Sequence, residues 1–156
     1  MKIKIIAISK NKFDYINQGE LDYLQRLKKY AQIEILNLKE EPITKNRPSE
    51  EIMAKEGEGM LVKINKDYYN IALHVMGKQM ASEEFADLLK EIRDFKNNKV
   101  CFFIGGPLGL DQKVLAKVDL ALSFSKMTFT HQLIRLLLLE QIYRGFEILA
   151  GSAYHK

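Results

Sequence analysis

Val100-Cys101-Phe102-Phe103-Ile104-Gly105-Gly106-Pro107-Leu108-Gly109 is the stretch whose reading settles the fold class. Five apolar residues bounded by a glycine turn are too few for a buried helix. They suit a strand covered on both faces, as parallel strands are. The turn falls just after that strand, where open α/β sheets collect their ligands. Glycine there lets the backbone come close to a ligand, although any tight strand-to-helix turn uses it too. The G-x-G-x-x-G order and the Gly-Lys-Ser/Thr ending are both absent, which disfavours a dehydrogenase or another nucleotide-binding α/β enzyme.

Working outward from this strand, helices and strands alternate. Toward the N-terminus, Ser82-Glu83-Glu84 opens a helix with an apolar face of Phe85, Leu88, Leu89 and Ile92, preceded by a strand over Tyr69–Met76. Ser49 is placed to cap an earlier helix with Glu50 and Glu51 in its first turn, although Gly57 and Gly59 weaken that helix. The polar segment from Lys39 to Pro48 reads as a loop. Before it come a strand carrying Ile33, Ile35, Leu36 and Leu38, a helix marked by Phe13, Ile16, Leu21, Leu24, Leu27 and Tyr30, and an opening strand with Ile3, Ile5, Ile6 and Ile8. Toward the C-terminus the spacing predicts a short helix over Asp111–Lys117, a fifth strand over Leu120–Phe124 and a long helix from His131 to Leu149. The expectation is an α/β fold with a mainly parallel sheet and helices on both faces. At 156 residues and 47% hydrophobic content, the chain has room for a single domain, residues 1–156.

The last helix is apolar almost all round, with Leu133, Ile134, Leu136, Leu137, Leu138, Leu139, Ile142, Tyr143, Phe146, Ile148 and Leu149, so two faces need cover. Either a second copy supplies one of them across a two-fold axis, with Gly145 permitting close approach, or the helix is central to one subunit. A net charge of +4 permits an acidic partner without demanding one. The single Cys101, inside an apolar run, reads as a buried hydrophobe, and His74, His131 and His155 are too scattered for a metal site. The opening apolar stretch is too short for a signal peptide. The apolar segment Leu133–Leu149 is interrupted by Arg135, Glu140, Arg144 and Glu147, so no membrane association and a cytoplasmic location are expected.

Two further constellations bear on chemistry. The turn from Leu122 to His131 is rich in small, apolar and hydroxyl residues; it suits an adenine pocket, although by itself such a turn reads first as an ordinary loop. Arg135, Glu140 and Arg144 on the last helix precede a terminal Tyr154-His155-Lys156; Glu140 and Arg144, four apart, suit an ion pair, and the tail acts only if tied down.

These pieces together resemble the ribosomal RNA large subunit methyltransferase H family of the SPOUT class. The resemblance rests on ALSFSKMTFTHQLIRLLLLEQIYRGFEILAGSAYHK from Ala121 to Lys156, IGGPLGL at 104–110, KEGEGM at 55–60 and the opening strand, and so covers nearly the whole chain. It implies a trefoil-knotted α/β fold, an obligate homodimer, and S-adenosyl-L-methionine-dependent methylation of N3 of a pseudouridine in 23S ribosomal RNA on assembled ribosomes. The cofactor contacts it implies are Leu73, Gly105, Phe124, Ser125, Lys126, Met127, Thr128 and Phe129. Thr130 departs from the proline often found before the histidine in that family. Both residues start helices, so cofactor binding is expected to survive.

Methyl transfer needs an in-line, deprotonated nucleophile, and an imide N–H is protonated at neutral pH. The expected catalytic group is therefore His155 or Tyr154 beside the base, with Arg135 and Arg144 anchoring phosphate or the cofactor carboxylate. The modest charge and the lack of a separate RNA-binding module favour recognition of whole ribosomes over naked RNA. The rival is a non-catalytic ribosome-binding or assembly factor of the same fold. An intact glycine turn and cofactor loop count against it.

Overall fold

Strands form where apolar residues alternate or run together, and in the computed structural model, which describes residues 1–155, five of them build one sheet. They are β1 (Lys2–Ile8), β2 (Gln32–Leu38), β3 (Tyr69–Gln79), β4 (Lys99–Ile104) and β5 (Leu120–Ser123). Their order across the sheet is β2-β1-β4-β3-β5, and every pairing is parallel. The central strand β4 is the apolar run read first in the sequence; Phe102 and Phe103 are wholly buried, one toward each face.

Because side chains alternate along a strand, β1 sends Ile3, Ile5 and Ala7 to one face and Ile6 and Ile8 to the other. The first face is covered by α1 (Asp14–Leu27), α3 (Ser82–Phe95) and α5 (His131–Leu149), with α5 lying between the other two. The second is covered by α2 (Ser49–Leu61) and the short α4 (Gln112–Leu115). The larger core is the one beneath α5, where Leu138, Leu139 and Ile142 meet Phe85, Leu89 and Ile92 of α3. Truncating a side chain such as Leu89 to alanine there costs about 2–5 kcal/mol.

Several expectations are refined by the structure. Ser49 is the first residue of α2 and Pro48 holds the cap position, with no side-chain cap. The helix continues through Gly57 and Gly59, because tertiary packing outweighs weak local propensity. The third strand runs on to Gln79, with a break in register against β5 between Leu73 and Lys78. Asp111 caps α4 by accepting the Lys113 N–H at 2.6 Å, and Thr130 caps α5 by accepting the Leu133 N–H at 3.3 Å.

Gly145 faces α3 of its own chain. A Cβ there would lie 2.8 Å from Leu89 Cδ1, so the glycine lets α3 approach α5 within one chain. Packing within one chain buries Leu138, Leu139, Ile142, Tyr143 and Phe146 of α5. Ile134, Leu136 and Leu149 are only partly buried, and so is an outer stripe of Leu133, Leu137 and Ile148.

Candidate functional site

The C-terminal ends of β3, β4 and β5 open into a cleft of about 690 Å³. Its floor is the glycine turn. Gly109 has φ +96°, and its N–H donates to the Gly106 carbonyl at 3.0 Å, folding the turn back on itself. Any Cβ at Gly105 would sit 2.4 Å from the Gly109 carbonyl oxygen, so only glycine permits this turn.

Opposite lies the loop after β5. The Ser123 hydroxyl donates to the Ser125 carbonyl at 2.9 Å, and Ser125 Oγ accepts the Met127 N–H at 2.9 Å, which holds the loop in a local curl. Of the eight residues expected to touch a cofactor, Leu73, Gly105, Phe124, Ser125, Met127, Thr128 and Phe129 line the cleft; Lys126 is exposed outside it.

Sequence reading missed the third wall. Phe13 and the start of α5, through Gln132 and Ile134, close the cleft on that side, next to His131 at the end of the turn already singled out. Gln132 is buried and accepts the Lys12 N–H at 3.3 Å, a contact across 120 positions that no local pattern signals. His131 Nε2 is buried and has no partner among the described residues. Burial pushes the His131 ring below the ordinary histidine range, with Lys12 and Arg135 adding to the shift and Glu40 opposing it.

The expected catalytic groups lie apart from this lining. Arg144 donates from Nε and Nη2 to Glu140 Oε1 at 2.9 and 2.5 Å, and its guanidinium lies 4.9 Å over the Tyr154 ring. Tyr154 stands edge-on to Tyr143 with ring centres 4.9 Å apart, so the C-terminal segment is tied down as far as His155; Lys156 lies outside the described residues. His155 Nε2 is 2.9 Å from Glu83 Oε1, and the contact holds the Glu83 carboxyl below the usual carboxylate range. Arg144 Nη1 is 3.5 Å from His155 Nδ1, so Arg144, Tyr154 and His155 form one cluster.

That cluster reaches toward the cleft through hydrogen bonds. Gln141 Nε2 donates to Glu140 Oε2 at 2.7 Å, and the Ser82 hydroxyl donates to Gln141 Oε1 at 2.8 Å. Ser82 and Gln141 line a 250 Å³ cavity that shares Phe124 and Phe129 with the cleft. Arg135 is elsewhere. Only 5% exposed, it makes a two-pronged pair with Glu20 of α1 at 2.5 and 2.8 Å and donates to Asn37 Oδ1 at 2.6 Å. Its guanidinium is spent on joining α1, β2 and α5, and is not available to hold phosphate.

Among the described residues no helix is long and apolar enough to cross a membrane, and no group of three or more His, Cys, Asp or Glu is placed to hold a metal ion. Cys101 is buried in β4 and its thiol is pushed up to about 12, chiefly by burial, so it is inert.

A parallel sheet with an apolar cleft between a glycine turn and a curled loop at its C-terminal edge is the architecture of an α/β ligand-binding enzyme. The family described as "Predicted SPOUT methyltransferase" matches residues 1–155, and the chain belongs to it. That family implies the trefoil knot of its class. The chain is 45% identical to Ribosomal RNA large subunit methyltransferase H of Bacillus pumilus and 46% to that of Halothermothrix orenii, over the full length of both chains in each case. The protein of the same name from Carboxydothermus hydrogenoformans is 43% identical over the same span.

Proposed function

We propose that the protein uses S-adenosyl-L-methionine to methylate N3 of a pseudouridine in 23S ribosomal RNA on assembled ribosomes, working in the cytoplasm as a homodimer of single-domain chains. The observation that carries this reading is the cleft. Phe124, Met127, Phe129 and Leu73 supply apolar walls, and Gly105 brings backbone to the surface where a Cβ would collide. These residues fit an adenosine moiety, for which flat apolar walls and backbone hydrogen bonds are the matching chemistry. When bound, S-adenosylmethionine supplies an electrophilic sulfonium methyl group.

The chain's own residues then orient the nucleophile and remove its proton. His155, held by Glu83 and flanked by Arg144, is the proton acceptor in this reading, and Tyr154 fixes Arg144 by stacking on it. Arg144 is paired with Glu140 but stays partly exposed, so it keeps its assignment as the cation near substrate. Arg135 does not, because Glu20 and Asn37 already satisfy it. The homodimer reading is supported by the partly open stripe Leu133, Leu137 and Ile148 of α5 and by Val75, Met76 and Met127, which are exposed beside the cleft. A monomer seldom leaves such apolar groups clustered without a partner.

The test is titration calorimetry with S-adenosylmethionine, with the mass in solution measured alongside, followed by methylation assays on intact ribosomes and on protein-free ribosomal RNA. Binding by a dimer, with ribosomes the better substrate, is expected. A folded dimer that binds no cofactor with or without ribosomes overturns the enzyme reading in favour of an assembly factor. A His155→Ala variant methylating at the unaltered rate removes histidine from the proton-accepting role.

A further inference from the structure

The segment Lys55-Glu56-Gly57-Glu58-Gly59-Met60 of α2 lines no part of the cleft, yet it carries a buried acid directly behind it. Glu56 is 6% exposed. Its Oε1 accepts the Glu41 N–H at 3.0 Å, while Oε2 is buried with no partner among the described residues. An unpaired buried oxygen of this kind is costly, so its persistence calls for an explanation. Oε2 lies against the glycine turn: a Cβ at Gly106 would be 2.9 Å from it and 3.2 Å from Ile8 Cγ2. One residue along α2, a Cβ at Gly57 would be 2.7 Å from Cβ of Asp111, the residue that caps α4. Consecutive residues of α2 thus abut the beginning and the end of the Gly105–Asp111 connection.

We infer that Glu56 is a positioning residue of the methyltransferase, a rigid stop that sets the Gly105–Gly109 turn for the cofactor and ties it to the segment around Glu41. The inference rests on the methyl-donor reading of the cleft. Glu56 touches no ligand itself and acts through Gly106. On its other side it reaches the loop before α2, where Arg47 bonds both Glu41, at 2.9 Å, and Glu51 of α2, at 2.8 Å, and Lys12 meets Glu40 at 3.4 Å. A displacement of that loop is therefore felt at the floor of the cleft.

The charged groups that bear on Glu56 are Glu40 and Glu41 from this loop, and both oppose its ionisation together with burial, the largest cause; only the Glu41 N–H favours the charged form. The carboxyl is accordingly held above the ordinary glutamate range. In its neutral form it rests against Gly106 at small cost. Ionised, it places an unpaired charge against the turn, and the relief is for the turn to move away. Cofactor affinity is thus expected to weaken as pH rises through the raised pKa of Glu56.

The experiment compares the full-length protein with Glu56→Gln and Glu56→Ala. It reads calorimetric affinity for S-adenosylmethionine from about pH 5 to about pH 8, and hydrogen exchange of the Gly106–Leu110 amides without cofactor. The unaltered protein should lose affinity several-fold as pH rises through the raised pKa of Glu56, and Glu56→Gln, neutral and of the same shape, should hold the low-pH affinity throughout. Glu56→Ala should bind roughly tenfold more weakly at every pH and exchange these amides faster. A glutamine variant that follows the same pH slope, or an alanine variant with unaltered affinity and protection, overturns the inference. Because the exchange measurement needs no cofactor, failure of the unaltered protein to bind S-adenosylmethionine defeats the methyl-donor reading, while unchanged protection in the alanine variant defeats the role of Glu56.

Discussion

The seam between α1 and α5 and the mouth of the cleft handle buried polarity in opposite ways. Along the seam, Arg135 is matched by Glu20 and Asn37, and Glu147, only 6% exposed, takes the Lys29 ammonium at 2.9 Å and the Tyr30 hydroxyl at 2.7 Å. Around the cleft, Glu56 Oε2 behind the turn and His131 Nε2 in the wall have no partner among the described residues. Burying polar groups is costly unless they are paired, so the seam spends its bonding capacity on folding and the cleft keeps some in reserve. The same contrast runs along one helix: α5 begins in the cleft with His131 and ends in the seam with Glu147.

The largest expected effect breaks the seam. Glu20→Ala leaves the Arg135 guanidinium buried with its main partner gone, and about 3–5 kcal/mol of stability should be lost in urea titrations. That corresponds to roughly 2–4 °C of Tm per kcal/mol in a chain of this size. Cofactor affinity, measured where the variant is still folded, should be unchanged, which would show that the seam and the cleft are separable.

Glu147 sharpens the same side of the contrast. Hydrogen bonds from Ser152, Tyr30 and Lys29 pull its carboxyl down to about 2. A carboxyl depressed in the folded state contributes stability that is present above its unfolded value, near pH 4.5, and lost as pH falls toward about 2. Glu147→Gln should therefore lose roughly 1.5–3 kcal/mol at neutral pH and show a flatter acid limb in a pH series of thermal melts.

On the cleft side the effect should appear in binding more than in folding. Gly105→Ala forces a Cβ against the Gly109 carbonyl, and calorimetry should show S-adenosylmethionine affinity reduced at least about tenfold, close to 1.4 kcal/mol. Its urea midpoint should stay above that of Glu20→Ala. An alanine variant that binds normally would mean that the turn is not the cofactor floor.

Much of this architecture was legible before the structure. Val100 to Ile104 announced a strand buried on both faces, and β4 occupies the middle of the sheet; Thr130 announced the start of α5, and its hydroxyl caps it. Most of the cleft lining was legible too, because Gly105 and the loop from Phe124 to Phe129 follow directly after strands whose ends converge. The roles of Gly145 and Arg135 were not. A glycine facing a neighbouring helix within the chain looks in sequence like one facing a second copy, and an arginine bonded to a glutamate 115 positions away looks like one free to hold phosphate.

The sequence by itself determined the alternation of strands and helices, the two-faced sheet, the glycine turn and the curled loop, because these depend on periods of two and 3.6 residues and on the backbone freedom of particular side chains. Only the tertiary structure decided which charges are spent, that Phe13 and Gln132 complete the cleft, and that Glu56 stands behind its floor. Those outcomes depend on which distant segments come within hydrogen-bonding reach, about 3 Å, and no local pattern along the chain encodes that distance.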